Sequence, residues 1–455
     1  MVISIIGLGK VGLCLAAAFA HREFDVIGYD VNPARTDALE TGDATAADPM
    51  LNGFLERNAA RLSGASSVET AVRNSEITFV VVPTPTNPSG GYDVEYCRFA
   101  CRKIGQALRE KHDYHLVVVA STLTPGATRF VLLPEIERAS GRRGGPDFGL
   151  CYSPTFVALG QVIHDFLNPN IGLIGELDAR SGSCLNACYA GLFSSPAPIK
   201  RMTIENAELT KIAVNSFVTA KIAFANLIGD LCEHLPGGDA RVVAEAVGAD
   251  PRIGPLCLKV GLGFGGPCFP RDNAAFAWFA RSLGMSAPLA EATDDLNRAR
   301  PSQMLKPLLK SGLAGKVVAV LGLAYKTGTN VLEGSQSLAL IEELVRSGAR
   351  IQAYDPLVSI PDSLGVPVVA SSCGRECLTG AQVVVIALPD PGYYQEIAAF
   401  AENASNPLLI MDVWGMLGKI DNPLVTTIRV GRNFEEDEDG CLLKRIWAPI
   451  KENVT

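Results

Sequence analysis

The chain has 455 residues, 48% of them hydrophobic and 19% charged, with a formal net charge of −8. That length suggests two or three domains at roughly 150 residues each, and the composition excludes general disorder. With no basic tail, sequence-independent nucleic-acid binding is excluded as a leading reading, and any anionic ligand must be held by local groups.

Residues 2–6 form a short apolar run rich in β-branched side chains, followed by a glycine turn and a helical apolar stretch over 11–20. A second strand over 25–29 ends at Asp30, which completes a β-α-β unit. Further strands are predicted at 77–82, 116–120 and 148–152, with helical segments such as 94–108 between them. This alternation predicts a parallel, doubly wound sheet. From Thr203 to about Leu235 the sequence is Ala-rich and free of Pro and Gly except for Gly229, which predicts one long helix with excess apolar surface. A second helical region is predicted over 272–300. At Lys316 the β-α-β pattern restarts, with strands at 317–321 and 350–354 (ending at Asp355), a helix at 337–347, and strands at 383–388 and 408–413. The expected fold class is α/β, with two Rossmann-like doubly wound domains (1–200 and 301–455) joined by an all-α domain (201–300). The apolar surface of the long helix predicts a homodimer.

Gly7-Leu8-Gly9-Lys10-Val11-Gly12 is a GxGxxG turn that follows a strand, opens a helix and precedes Asp30 at the end of the next strand. Gly7 permits the turn, Gly9 lets the backbone approach a pyrophosphate, and Gly12 allows close helix–strand packing. Lys10 and Val11 lie within this cofactor-binding turn. Asp30 would accept hydrogen bonds from ribose hydroxyls and repel a 2′-phosphate, so NAD is expected over NADP. Arg35 either lies along the adenosine side or is a solvated helix charge. The loops Val82-Pro83-Thr84-Pro85 and Ser121-Thr122-Leu123-Thr124-Pro125-Gly126 follow later strands, where open α/β sheets bind ligands. Thr84, Pro85, Ser121 and Thr122 are cofactor candidates there, although each loop also reads as a Pro-bearing turn.

Lys211 and Asn215 are spaced i,i+4 in the apolar helix and share one face. The pair suits an oxyanion or a bound water, and a snorkelling lysine is the alternative. Residues 261–272, GLGFGGPCFPRD, combine four glycines with Cys268 at a helix start, where the positive dipole end favours a thiolate, and place Asp272 one turn on. Such a thiol suits nucleophilic attack on a carbonyl; a buried, inert cysteine is the ordinary alternative. The remaining cysteines form no CxxC, although Cys97/Cys101, Cys184/Cys188 and Cys373/Cys377 are four apart, and the five histidines do not cluster near them. Thiols are expected rather than disulfides or a metal site. The apolar N-terminus lacks a basic leader region, and no later stretch is an unbroken apolar run of membrane-spanning length, so a cytoplasmic protein without a membrane partner is expected.

Taken together, GLGKVGLCLA, the VPTP and STLTPGAT loops, AELTKIAVNSF, GFGGPCFPRD and GLAYKTGT…YDP resemble the signatures of the UDP-glucose/GDP-mannose 6-dehydrogenase family, in family order along almost the whole chain. The resemblance implies oxidation of a primary alcohol of a nucleotide sugar to a carboxylate with two NAD. It implies Cys268 as the nucleophile that forms a thiohemiacetal and then a thioester. Lys211 would stabilise the oxyanion with help from Asn215, and Asp272 and Thr122 would position a water. Arg252 matches an arginine that reaches the sugar across a dimer, and active sites would lie between the terminal domains. Lys259, nine residues before Cys268, and Lys326 match lysines on the nucleotide, and the stretch 259–265, with Phe264 and Gly265, would wrap base and phosphates.

The chain departs from the family in two places. A Pro-Glu-Phe-Leu-x-Glu stretch is here Pro154-Thr155-Phe156-Val157-Ala158-Leu159, so Thr155 and Leu159 replace two glutamates, the first being the family's main candidate base for thioester hydrolysis. A hydroxyl cannot act as a carboxylate base near neutral pH, and loss of a general base typically lowers a rate by about 10²–10⁴-fold. Thr155 and Phe156 remain substrate-binding candidates. In the C-terminal domain Glu333 stands where an arginine normally contacts substrate. The leading expectation is therefore a nucleotide-sugar 6-dehydrogenase. A diverged dehydrogenase on a different nucleotide or nucleoside alcohol, ending at an aldehyde or a non-hydrolysed thioester, is the alternative, and a ligand-binding protein without turnover is the third.

Overall fold

The computed structural model describes residues 1–42, 48–361 and 364–433. The chain divides into two compact units, one of residues 1–214 with 274–286, the other of residues 215–273 with 287 onward. The first unit is built on eight strands: β1 (Val2–Ile6), β2 (Asp25–Tyr29), β3 (Leu62–Gly64), β4 (Ile77–Val80), β5 (Leu116–Val119), β6 (Gly149–Tyr152), β7 (Gly172–Glu176) and β8 (Ile199–Thr203). Their order is β3-β2-β1-β4-β5-β6-β7-β8. All pairs are parallel except β6 with β7. β4 and β5 are buried at every position, as strands covered by helices on both faces must be.

The second unit repeats the pattern with β9 (Val317–Leu321), β10 (Arg350–Tyr354), β11 (Val368–Ala370), β12 (Val383–Ile386), β13 (Leu408–Asp412) and β14 (Val425–Arg429), ordered β11-β10-β9-β12-β13-β14. Position for position this is the order of the first six strands of the other sheet. Both sheets reverse direction of growth beside their first strand, and the crevice there is where such sheets bind nucleotides. The expected doubly wound α/β class is observed twice. The strands β3, β7, β8, β11 and β14 lie outside the predicted set. Of these, β3 and β11 have only three residues each, and β8 carries Lys200 and Arg201.

The long helix spans Ile204–Cys232. Its polarity is inverted. Glu208, Lys211, Asn215, Thr219 and Asn226 are buried, whereas Leu209, Val214, Phe217, Phe224, Leu227 and Leu231 are exposed. At 100° per residue the two sets fall on opposite faces. Although charged residues break the run, the helix is long and apolar enough by length and composition to cross a membrane, a difference from the sequence reading. The predicted helical region 272–300 resolves into two helices, Phe269–Ser282 and Pro288–Lys310. Gly284, at φ 74°, and Pro288 at the start of the second helix make the break.

Candidate active site

The glycine turn has the geometry that dinucleotide binding requires. Gly7 sits at φ +100°, and a Cβ there would lie 2.5 Å from the Val81 carbonyl oxygen. A Cβ on Gly12 would lie 1.9 Å from the Gly7 carbonyl oxygen, so this residue sets the closeness of helix to strand. Around Gly9 no atom lies within 4 Å of a Cβ position, which leaves the backbone open to a pyrophosphate. Gly9 caps the helix Lys10–His21 without a side-chain bond, and that helix has no acidic residue in its first turn. Its amides therefore face outward with a favourable dipole for an anion. The buried Asp30 accepts the Leu8 and Asn32 N–H groups at 2.8 and 2.9 Å and pairs with Arg35 at 3.3 Å. These bonds fix the carboxylate at the end of β2 and tether Arg35, which sequence alone left undecided.

The two proline-bearing loops are tied to each other. Thr84 Oγ1 donates to the Thr122 carbonyl at 2.8 Å, and Ser121 Oγ donates to the Val82 carbonyl at 2.7 Å. Both hydroxyls thus shape backbone. Pro85 is exposed, and the Thr122 side chain is half-buried.

Lys211 is buried, and its Nζ donates to the Thr155 carbonyl at 3.0 Å and lies 4.8 Å from the centroid of the Phe156 ring. Thr155 therefore meets Lys211 through its backbone oxygen, and Phe156 meets it through an aromatic face. Leu159 packs with Val157 against the apolar core. Asp165 accepts the Ala158 N–H at 2.8 Å, which ties that carboxylate to the loop's backbone.

In the second unit Asn215 Nδ2 donates to Asp272 Oδ2 at 2.6 Å, with both side chains buried. The Asp272 N–H donates to the Cys268 carbonyl at 2.8 Å, and Arg271 lies 3.7 Å from the Asp272 carboxylate. Ser216 Oγ donates to Asn273 Oδ1 at 2.7 Å, a second rivet between the long helix and this turn. Cys268 is exposed at the start of its helix, not buried. All eleven described cysteines are thiols, and among the described residues no group of three or more His, Cys, Asp or Glu could hold a metal.

The stretch 259–265 is gripped by three side chains. Asn226 Oδ1 accepts the Gly261 N–H at 3.0 Å, Asn297 bonds both the N–H and the carbonyl of Phe264 at 2.8 and 2.9 Å, and Arg300 Nε donates to the Gly261 carbonyl at 2.9 Å. Arg300 is 2% exposed and also pairs with Asp230 at 2.5 Å. The Phe264 ring is buried, and Gly265 packs beneath the Gly334 carbonyl and Tyr325. Glu333 accepts the Gly266 N–H at 2.9 Å through its carbonyl, while its side chain is exposed. Lys259 is exposed, and Lys326 is half-buried with Nζ 5.9 Å from the Tyr325 ring centroid. Arg252 projects with 87% of its side chain exposed and pairs with Asp250 at 2.6 Å.

Three consecutive regions match models of one family: its NAD binding domain over residues 1–193, its central domain over 205–299 and its UDP binding domain over 319–419. The chain belongs to the UDP-glucose/GDP-mannose dehydrogenase family. It is 36% identical over 362 residues to the UDP-glucose 6-dehydrogenase AglM of Haloferax volcanii, covering 79% of this chain and 84% of the relative. It is 33% identical over 446 residues to the GDP-mannose 6-dehydrogenase of Pseudomonas putida, covering 94% and 99%. The solved UDP-glucose dehydrogenase of Pyrobaculum islandicum superposes with a TM-score of 0.83 at 33% identity, covering 94% of this chain and 97% of that one. As a member of this family the chain is an NAD-dependent oxidoreductase acting on CH–OH groups, and its glycine turn fits that cofactor.

The motifs led to Lys211, Asn215, Cys268 and Asp272 but not to Glu208, Asn226, Asn297 or Arg300. A signal for two of these was present: Glu208 and Asn226 lie on the polar stripe of the long helix that also carries Lys211 and Asn215. Asn297 and Arg300 lie in a helix with many polar residues, and nothing local marks them.

Proposed function

We propose that this protein oxidises the C6 primary alcohol of a UDP- or GDP-hexose towards the uronic acid, through a thiohemiacetal and thioester on Cys268. The observation that carries this reading is the Cys268 turn. An exposed thiol at a helix start is held one turn from a buried Asp272–Asn215 pair, in a chain of the nucleotide-sugar dehydrogenase family. A thiol that adds to the aldehyde sets up the second hydride transfer of a four-electron oxidation, a role that simple alcohol oxidation does not require.

NAD, when bound, takes up the hydride of each oxidation. The turn at Gly7, Gly9, Lys10, Val11 and Gly12 would hold its pyrophosphate, Asp30 its adenosine ribose, and the loops bearing Thr84, Pro85, Ser121 and Thr122 its remaining half. The Cys268 sulfur adds to the aldehyde carbon, and the carbonyl oxygen becomes the thiohemiacetal oxygen. Lys211 supplies the positive charge for that oxygen, with Asn215 donating alongside, and Asp272 and Thr122 hold the water that carries protons. Oxidation of the thiohemiacetal leaves a thioester, and water attack releases the acid and returns the thiol. Neither Thr155 nor Leu159 supplies a carboxylate for that last step, so acid release is the slow one. Lys259, Lys326 and the stretch 259–265, including Phe264 and Gly265, bind the nucleotide. Arg252 reaches the sugar of a partner copy, consistent with its exposure. The exposed apolar face of the long helix supports a homodimer.

The test is NADH formed per substrate consumed, with UDP- and GDP-sugars offered and protein mass recorded afterwards. Two NADH per sugar and an unmodified protein are expected at completion. One NADH per sugar with an aldehyde product, or no turnover of any nucleotide sugar, would overturn the proposal.

A further inference from the structure

We propose that Glu208 is a positioning residue whose ionised carboxylate locks the loop carrying Thr122 to the helix carrying Lys211. Glu208 is fully buried. One carboxylate oxygen accepts the Gly126 N–H at 2.5 Å and the other accepts the Thr128 N–H at 2.9 Å. Residues 128–140 are helical, so the carboxylate sits at a positive helix end and satisfies amides that the helix itself cannot. The other end of the loop is held by Thr84 on the Thr122 carbonyl and by Ser121 on the Val82 carbonyl. The loop is thus pinned to the sheet by hydroxyls and to the long helix by the Glu208 carboxylate, with Glu205 of the same helix pairing to Arg129 just beyond it. Glu208 precedes Lys211 by three residues, on the same face of one continuous helix.

The lock depends on charge. An ionised carboxylate accepts both N–H groups, whereas a protonated one turns an acceptor oxygen into a donor that conflicts with one of them. Burial pushes this carboxyl up to about 7, against the opposing pull of its bonds to Thr128 and Gly126. The charged groups around it are Glu205, which is paired with Arg129, and Lys211, whose ammonium is turned to the Thr155 carbonyl and the Phe156 ring. The first raises the carboxyl further.

The inference rests on reading residues 121–126 as a cofactor loop and Lys211 as catalytic. Its test uses the full chain. Amide exchange of residues 122–130 is followed from pH 6 to 8.5, corrected for intrinsic rates, in the wild type and in Glu208→Gln. Protection at Gly126 and Thr128 is expected to fall below pH 7 in the wild type and to be lower and pH-independent in the variant. With an accepted nucleotide sugar, Glu208→Gln should lower kcat about 10- to 100-fold with KM for the sugar unchanged and remove the acid limb near pH 7. Glu205→Gln should keep that limb. Flat protection across this range in the wild type overturns the proposal even if the variant does not fold, and so does an unaltered exchange and pH profile in Glu208→Gln. The exchange arm needs no substrate, so a failure to oxidise nucleotide sugars would sink the functional reading while leaving this one standing.

Discussion

Thr155 meets Lys211 through a backbone oxygen at 3.0 Å, and its side chain brings no charge to a position where the resemblance implies a glutamate. A backbone carbonyl orients an ammonium but cannot take a proton from water, so the substitution separates two tasks that one carboxylate can combine. Thr155→Glu is expected to restore the second task. Single-turnover acid release should then accelerate by about 10²-fold, while the first hydride step changes little. Rapid-quench product analysis measures both. Equal acid release in the wild type and the variant would show that another group already serves as base. Asp30 makes the same point from the opposite side: its type and place were legible, but its bonds to Leu8 and Asn32 and its pairing with Arg35 were not.

The long helix explains why element-level reading succeeds for type and stops at orientation. Absence of proline and sustained apolar character make Ile204–Cys232 legible as a helix. Which face turns inward is a different matter, because here the polar stripe is buried and the apolar one exposed. A rule that buries the apolar face would place Glu208, Lys211 and Asn215 in solvent. Phe217, 64% exposed, and Phe224, 52% exposed, stand at the centre of the outward apolar face. Covering a phenylalanine in an interface contributes roughly 1.5–3 kcal/mol. Phe217→Asp with Phe224→Asp is therefore expected to weaken the proposed homodimer by about 100-fold or more. Sedimentation at micromolar protein should show monomer, and an unchanged mass would place the interface elsewhere.

At the scale of the whole molecule, the first unit holds ionisable groups whose effects on stability oppose one another. His115 is buried against Thr78, Lys111 and the Ser75 carbonyl, and burial followed by the Lys111 charge pushes it down to about 3. The unfolded chain takes up this proton below its ordinary 6.5 and the folded chain does not, so the His115 contribution is lost as pH falls from 6.5 towards 3. Glu135, bonded to Arg98, Arg138 and Arg102, is held down at about 2, and its contribution is lost as pH falls from 4.5 towards 2. Glu208 has the opposite sign. The folded chain holds its proton up to about 7 and the unfolded chain only to 4.5, so its contribution falls as pH rises through that window. Between pH 4.5 and 6.5 His115 and Glu208 offset each other. Below 4.5 His115 and Glu135 act together. The first unit should show nearly level stability over the upper window and a steep loss below it. Urea titrations read by Trp278, with the other two tryptophans replaced by phenylalanine, test this, and a uniform slope from pH 6.5 to 3 would contradict it.

By itself the sequence determined the two β-α-β beginnings, the glycine turn, the long helix and the cysteine motif. Each is encoded locally: glycine spacing permits a backbone path, residue period sets an element, and a motif carries its own chemistry within a dozen positions. Only the tertiary structure decided that β7 runs antiparallel, that the polar stripe of the long helix faces inward, and that Glu208 reaches Gly126 and Thr128. It likewise decided that Lys211 meets Thr155 and Asn215 meets Asp272. These partners lie 56 to 82 residues apart in the chain. A buried polar side chain must find its partner wherever packing brings one, and that choice is made by the whole fold rather than by its neighbours in sequence.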